Sequence, residues 1–368
     1  MRPKRFLQAG GLCTAVVCTV VVSSPPSSQT AARPPSTTAG RLTAGRPARP
    51  VPVSAVVSAH KAQDRTRIAG AVDYVAYVAL GSGNEVVRVD AATGKITGAI
   101  ADNAGEGVAV TPDDSTLYIA DTGQYDVLAH DLRSRRTTHI MVGPYPRDVA
   151  VSPGGNLVYA TVTGSDTVSV ISTEKNRVIA RITVGTAPGH VVFSPDGEYA
   201  YVTTGDGIDV IDVAAASVVR VFRRPGPQGI AVSADGRTLY VTYPSANSVR
   251  KLNAATGATL GVTRTGAEPY AIAAAGASLY VADMNDDTVS VVSAATGKVT
   301  STIGVGRLPM SVAAAPNGKQ VWVGNGLSGS VSVISVTSGQ VTATISGWPG
   351  QATVDTAPLA IAFAKPSS

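Results

Sequence analysis

The chain has 368 residues, 44% of them hydrophobic, and its 38 Gly and 23 Pro weigh against long helices. Val, Ile, Thr and Tyr supply most of the apolar pattern, as they do in β-strands, so an all-β fold is predicted. The formal charge of +5 is uneven: residues 1–67 contain ten Lys or Arg and one acid, whereas residues 68–368 contain 20 basic and 24 acidic side chains. A net-negative region does not attract a phosphate backbone, so no nucleic-acid partner is expected.

Residues 1–32 are typical of a secretory signal peptide. Three basic residues precede an uncharged, mostly apolar stretch at residues 10–22, and Thr30-Ala31-Ala32 offers a small-residue cleavage site. The stretch is too short to span a bilayer as a helix, so we expect cleavage and no stable membrane span; retention as an anchor is the alternative. Cys13 and Cys18 would be removed with the signal peptide, so no disulfide is expected in the mature protein. The mature protein is expected to be secreted, extracellular or associated with the cell wall.

A linker is predicted at residues 33–67. This segment is rich in Pro, Ser, Thr, Ala and Arg and contains no aromatic residue. Such a composition buries too little apolar surface to offset the entropy of ordering, which predicts a disordered spacer. The folded domain is then expected at residues 68–364, followed by a tail at 365–368.

An aromatic residue followed by a small or branched aliphatic one recurs at intervals of 39 to 42 residues. The pairs are Tyr77-Val78, Tyr118-Ile119, Tyr159-Ala160, Tyr201-Val202, Tyr240-Val241, Tyr280-Val281 and Trp322-Val323. A period near 40 indicates units that bury their apolar faces only against their neighbours, as propeller blades do. The repeated aromatic residues are therefore predicted to lie in the core between blades.

The unit at residues 188–226 shows four strands. Pro195-Asp196-Gly197 closes the first hairpin, since Pro presets φ and Gly accepts a positive φ. Strands are expected on both sides of this turn and twice more before the unit ends. Four strands in about 40 residues make one blade, so seven four-stranded antiparallel blades are predicted.

The first unit, around Tyr77, lacks a clear first strand. Residues 358–363 at the C-terminus match the opening strand of the other units. We predict that this last strand completes the first blade and closes the ring, leaving no open sheet edge. Val51 to Ser58 is the alternative source of the missing strand.

These motifs resemble the YVTN family of seven-bladed β-propellers. The best matches are Ser194-Pro195-Asp196-Gly197, Tyr201-Val202-Thr203 and Thr167-Val168-Ser169-Val170-Ile171. The resemblance covers about residues 70–364 and implies the fold. It implies no single activity, because relatives range from surface-layer and other exported proteins to lactonases and lyases. The family's Asn after Tyr-Val-Thr is mostly absent here, so nothing that depends on it is transferred.

The mouth of the central channel is the predicted ligand site, because its residues vary where the rest of the repeat is monotonous. The position after the recurring Pro is occupied by Glu106, Arg147, Gly189, Gln228, Tyr270, Met310 and Leu359. The flanking candidates are Asp148, His190, Glu268 and Ser311.

Two kinds of chemistry are considered at this face. His190, with Glu268 or Glu106, has the side chains for acid–base work or for a divalent ion. The loops 121–126 and 283–287 are rich in Asp and Asn, which suit calcium but also dominate ordinary turns. No metal site and no cofactor is predicted. His130 and His139 are expected at the surface on outer strands, and His60 in the linker.

The sequence favours an exported, monomeric binding or scaffold module that recognises a protein, glycan or wall ligand at the channel mouth. The alternative is a metal-dependent extracellular lyase or lactonase-like hydrolase that uses His190 and Glu268 at the same mouth. A structural cell-surface component is a third hypothesis, for which no sequence feature argues.

Overall fold

The computed structural model describes residues 74–81, 85–100, 105–348 and 357–365. These residues form seven four-stranded antiparallel sheets, and the first strands of neighbouring sheets contact one another around a ring. The all-β, seven-bladed prediction is confirmed. The predicted leader, the linker with Val51–Ser58 and His60, and the last three residues lie outside the described ranges.

Blade 1 contains β1 (Val75–Leu80), β2 (Glu85–Asp90), β3 (Lys95–Ile100) and the last strand, β28 (Pro358–Ala364). Blade 2 contains β4 (Gly105–Val110), β5 (Thr116–Asp121), β6 (Asp126–Asp131) and β7 (Thr137–Met141). Blade 3 contains β8 (Pro146–Val151), β9 (Leu157–Val162), β10 (Thr167–Ser172) and β11 (Arg177–Thr183). Blade 4 contains β12 (Val191–Phe193), β13 (Tyr199–Thr204), β14 (Gly207–Asp212) and β15 (Ser217–Arg223).

Blade 5 contains β16 (Ile230–Val232), β17 (Thr238–Tyr243), β18 (Ser248–Asn253) and β19 (Thr259–Arg264). Blade 6 contains β20 (Pro269–Ala275), β21 (Ser278–Asp283), β22 (Thr288–Ser293) and β23 (Val299–Gly304). Blade 7 contains β24 (Pro309–Ala314), β25 (Gln320–Asn325), β26 (Ser330–Ser335) and β27 (Gln340–Ile345). Single 3-10 turns lie at Thr163–Ser165 and Pro244–Ala246. In the described ranges, no helix has the length and apolarity that crossing a membrane requires.

Ring closure occurs as predicted from the repeat. Strand β28 pairs antiparallel with β1, with Tyr77 opposite Ala362, and so supplies the innermost strand of blade 1. Lys365, just beyond β28, donates its N–H to Asp114 Oδ1 at 3.0 Å, in the first turn of blade 2. The last strand is therefore held by the blades on both sides of the closure.

The repeated aromatic residues form the core between blades, as predicted. All seven are between 0% and 6% exposed. The Tyr159 ring packs edge-on against Phe193 of the next blade, and Trp322 packs in the same way against Phe363 of blade 1. The Tyr118 hydroxyl donates to Asn176 Oδ1 of blade 3 at 2.7 Å. Each aromatic side chain thus joins two sheets.

Replacing Tyr201 by Ala should lower the free energy of unfolding by roughly 3–5 kcal/mol, as for other aromatic core truncations. Tyr201 is 3% exposed and packs among side chains of blades 4 and 5. Tyr145→Ala is the matched control, because Tyr145 is 42% exposed and its loss should cost much less. Chemical denaturation measures both; a loss below about 1 kcal/mol for Tyr201→Ala would contradict the inter-blade role.

Deleting residues 358–368 should sharply lower the melting temperature. The deletion leaves β1 with an open edge and uncovers apolar residues of blades 1 and 7. Deleting only residues 366–368 is the control, since it retains all of β28. Equal melting temperatures for the long deletion and the intact chain would refute closure by this strand.

Candidate functional site at the channel mouth

The candidate mouth residues lie at the start of the innermost strands. The loops that lead into these strands contact the loops between second and third strands, so both kinds of loop share one face of the ring. For example, Gly205 N–H donates to Thr186 O, and Ala187 N–H donates to Asp166 Oδ1. The structure therefore places the predicted positions together at one end of the channel.

Buried threonines of the second strands fix the backbone at this mouth. Thr161 accepts the N–H of Asp148 in its own blade and donates to Gly189 O of the next blade, at 3.0 and 2.8 Å. Thr242 likewise accepts Gly229 N–H and donates to Tyr270 O. Sequence reasoning missed this role, although the third position of the Tyr-Val-Thr motif is the signal that could have indicated it.

Arg147 and Tyr270 meet across the channel. Arg147 Nη2 donates to the Tyr270 hydroxyl at 2.8 Å. Arg147 belongs to blade 3 and Tyr270 to blade 6, and three blades is the largest separation possible in a ring of seven. This hydrogen bond therefore bridges opposite sides of the mouth.

His190 pairs with Asp148 and not with the predicted Glu268. His190 Nδ1 lies 3.3 Å from Asp148 Oδ2, and the His190 ring stands edge-on to Tyr270 with 6.5 Å between ring centroids. Within the described part of the chain, no ion pair joins Glu268 to His190. Glu268 instead has a left-handed backbone and donates its N–H to Asn247 Oδ1 of blade 5. The structure thus places Asp148 beside His190, whereas the backbone geometry of Glu268 serves the join between blades.

Glu106 completes the group of mouth residues. Its Oε2 lies 3.6 Å from Arg147 Nε. Burial raises the pKa of Glu106, and the neighbouring charges of Arg147 and His190 oppose only part of that effect. Burial alone would lower the pKa of Arg147, but Tyr270 and Glu106 outweigh it and raise that pKa, so the guanidinium stays charged.

The other predicted mouth positions are not joined to this group by hydrogen bonds or ion pairs in the described ranges. Gln228, Met310 and Leu359 are partly exposed, whereas Gly189 and Ser311 are buried. Ser311 donates to Pro358 O and so joins blade 7 to blade 1. The structure thus brings together Glu106, Arg147, Asp148, His190 and Tyr270, which come from blades 2, 3, 4 and 6.

The Asp-rich loops that suggested calcium use their carboxylates within the protein. Asp121 accepts the N–H groups of Gly123 and Gln124, and Asp286 accepts Ala267 N–H. No three His, Cys, Asp or Glu side chains in the described ranges are placed to hold a metal ion. These contacts hold turns and inter-blade joins.

One histidine prediction was wrong. His139 is exposed on the outer strand β7 and contacts Asp126 Oδ2 at 2.8 Å. His130, in contrast, lies on the third strand β6 and is only 9% exposed. His130 pairs with Leu117 of β5, so it lies on an inner strand of the blade and not on its outer edge.

The comparisons with known proteins agree with this fold. The family described as YNCE-like β-propeller matches residues 252–359. The resemblance to propeller repeat proteins of the YVTN type is confirmed. No curated protein sequence matches the chain.

Solved structures similar to this chain include a hydrazine synthase chain from Kuenenia stuttgartiensis, which is 25% identical with a TM-score of 0.65 and covers 70% of this chain and 90% of that one. A functionally unknown protein from Desulfotomaculum acetoxidans is 16% identical with a TM-score of 0.67, covering 80% and 99%. The dihydro-heme d1 dehydrogenase NirN, in complex with DHE, is 15% identical with a TM-score of 0.59, covering 75% and 64%. The last two similarities show the fold alone.

The Asn position of the YVTN motif is occupied by Asn325 in blade 7 and by Asp283 in blade 6. Asn325 donates to the Ser330 and Ser332 hydroxyls, and Asp283 accepts from the equivalent Ser290 at 2.6 Å. Both side chains are fully buried. Burial raises the pKa of Asp283, and the hydrogen bond from Ser290 opposes this only in part.

Asp283→Asn should therefore raise the melting temperature at pH 7, by roughly 2 °C or more if the gain is about 1 kcal/mol. Since the pKa of Asp283 is higher in the folded than in the unfolded chain, ionisation destabilises the fold as pH rises through that pKa. The gain should shrink as pH falls and wild-type Asp283 becomes protonated. Thermal melts from pH 7 to pH 4 measure it; a gain that grows on acidification would contradict the assigned cause.

Proposed function

We propose that the chain is an exported binding module whose channel mouth recognises a hydroxyl-rich ligand, such as a cell-wall glycan. The cross-channel hydrogen bond from Arg147 to Tyr270 carries the proposal. It sets a charged donor and an aromatic ring beside Asp148 and Glu106, which are acceptors. Donors, acceptors and an aromatic face gathered at one place are the groups that bind polar ligands with a defined orientation.

The composition of the mouth favours a neutral polar ligand over an anionic one. Among the candidate mouth residues, the acids Glu106, Asp148 and Glu268 outnumber the one guanidinium, that of Arg147. An added carboxylate or phosphate would meet these acids, whereas hydroxyl groups could donate to them and accept from Arg147 and Tyr270. We infer export from residues 1–32, which resemble a secretory signal peptide. In an exported protein, the mouth would be exposed to wall or extracellular material.

Acid–base catalysis is the second candidate, because Asp148 stands at His190 Nδ1. A carboxylate there orients the imidazole and leaves Nε2 as the reactive nitrogen. This observation favours a hydrolase or lyase of the kind expected from sequence. The metal-dependent form of that hypothesis has less support, because the described residues provide no group of three metal-ligating side chains. Two similar structures have enzyme names, but those activities are stated only of those proteins.

Isothermal titration of the full chain with a soluble peptidoglycan fragment tests the proposal. Arg147→Gln and Tyr270→Phe should each weaken binding about tenfold, the loss expected when a hydrogen bond to a charged group is removed. Arg264→Gln is the matched control, because Arg264 lies on an outer strand and should leave binding unchanged. Equal affinity of Arg147→Gln and wild type would refute the mouth as the site.

Mass spectrometry of the same fragment after incubation separates the two candidates. An intact fragment supports the binding module. Cleavage that disappears in His190→Ala, with Arg264→Gln still active, would replace binding by catalysis.

A further inference from the structure

The outer strands have a β-bulge at an equivalent place in six of the seven blades. The pairing of third and fourth strands shifts register there in every blade except blade 2. The bulged residues are Thr97, Ile179, Val219, Leu260, Thr300 and Thr342 in blades 1, 3, 4, 5, 6 and 7. The bulge position thus holds threonine in three blades and an aliphatic residue in three others.

In blades 1, 6 and 7 the hydroxyl of the bulged threonine donates a hydrogen bond to a backbone carbonyl of the third strand. Thr97 donates to Arg88 O at 3.3 Å, Thr300 to Val291 O at 3.1 Å and Thr342 to Val333 O at 3.2 Å. Each of these carbonyls belongs to the third-strand residue at the register shift. Threonine therefore suits this position, both as a β-branched residue and as a hydrogen-bond donor.

Blades 3, 4 and 5 give up this hydrogen bond and expose an aliphatic side chain in its place. Ile179 is 50% exposed, Val219 45% and Leu260 54%. Two residues further on, Val221 and Val262 are 38% and 58% exposed, where blades 6 and 7 have Thr302 and Thr344. Requirements of the strand do not explain this choice, because threonine meets them elsewhere in the same ring.

The same three outer strands are basic and contain no acid. Their charged residues are Arg177, Arg181, Arg220, Arg223 and Arg264. None of the five forms an ion pair within the described ranges. Residues 68–368 as a whole have more acidic than basic side chains, so this outer surface of blades 3 to 5, hereafter the basic rim, departs from the rest of the domain.

We propose that the basic rim docks on the surface of an anionic phospholipid bilayer. Arginines beside exposed aliphatic side chains match a surface with anionic head groups above an apolar layer. An anionic polymer or nucleic acid would use the arginines but would gain nothing from Ile179, Val219 and Leu260. The segment at residues 33–67, with seven basic residues and one acid, adds charge of the same sign just before the domain.

A bilayer also suits the shape of the rim better than a rigid partner. Three consecutive blades of a ring form a convex surface, with β15 of blade 4 at its centre. Val219 and Val221 on β15 would enter the interface most deeply, and the deformable head-group layer would reach the neighbouring blades. Addition of a fifth strand is disfavoured, because the bulges interrupt the regular edge that such pairing needs.

A tryptophan reporter on the rim tests the proposal in the full chain. Val221→Trp should shift its fluorescence to shorter wavelength with vesicles of equal phosphatidylglycerol and phosphatidylcholine, and not with phosphatidylcholine alone. Thr302→Trp, at the equivalent position of blade 6, is the matched control and should not shift. Trp322 and Trp348 are buried and also fluoresce, so the wild-type chain is measured in parallel and subtracted. The remaining signal is local to the rim, and vesicle attachment through the N-terminal segment does not produce it.

The role of the exposed aliphatic residues at the bulges is tested by combining Ile179→Thr, Val219→Thr and Leu260→Thr in the Val221→Trp chain. The fold should be retained or more stable, because each new hydroxyl can donate to Val170 O, Val210 O or Lys251 O. The vesicle-induced shift should be lost. Arg220→Gln or Arg223→Gln in the Val221→Trp chain should each raise the lipid concentration at half-maximal shift about fivefold.

Three results would overturn the proposal. The first is no shift of Val221→Trp with anionic vesicles. The second is an equal shift of Thr302→Trp. The third is a Val221→Trp shift that duplex DNA or wall polymer produces and vesicles do not, which would reassign the rim to a polyanion.

Discussion

Each blade of this propeller has two apolar faces, and only the neighbouring blades can cover them. Side chains such as Ala76, Val78 and Leu80 are fully buried although the sheet that holds them is only four strands wide. Burying an aliphatic side chain of this kind contributes roughly 1.5–3 kcal/mol, so an uncovered face would be costly. A row of such sheets has two uncovered ends, and closing the row into a ring removes both. Strand β28, bound to β1 and placed between the strands of blades 7 and 2, makes that closure.

The constraint that holds the blades together also builds the mouth. Joining segments must pass from the outside of one blade to the inside of the next, and left-handed residues such as Ala187 and Glu268 make these reversals. Buried threonines then connect neighbouring innermost strands at the level of Asp148, Gly189 and Tyr270. Arg147 and Tyr270 can meet across the channel because both backbones are fixed in this way. The candidate site therefore depends on repeat positions that have no ligand role of their own.

The fold was predictable because its signal recurs seven times. The aromatic pairs, the Pro-Asp-Gly turns and the missing first strand near Tyr77 each indicate one feature that the topology confirms. The members of the mouth were also predictable, since position after the recurring Pro is a property of the repeat. The contacts that these mouth residues make with one another could not be predicted. Pairing of His190 with Asp148, and of Arg147 with Tyr270 more than a hundred residues away, depends on side-chain reach across the channel. The burial of His130 was missed because a third strand and an outer strand have similar sequence patterns.

The two surfaces proposed to act have opposite chemistry. The mouth is rich in acceptors and holds one paired arginine, whereas the basic rim has five arginines without ion pairs and several exposed aliphatic side chains. A module attached by its rim to an anionic surface would keep its channel face free for a ligand, since the two lie on different sides of the ring. The threonines at the bulges of blades 1, 6 and 7 provide a comparison within one molecule, which makes the rim the better controlled of the two hypotheses.

Hydrogen–deuterium exchange of the full chain, with and without a soluble peptidoglycan fragment, tests the mouth most directly. We predict slower exchange at the start of the innermost strands β4, β8 and β20, where Glu106, Arg147 and Tyr270 lie, and unchanged exchange in the outer strands. Slower exchange confined to the outer strands, or no change at saturating fragment, would contradict the assignment of the mouth as the ligand site.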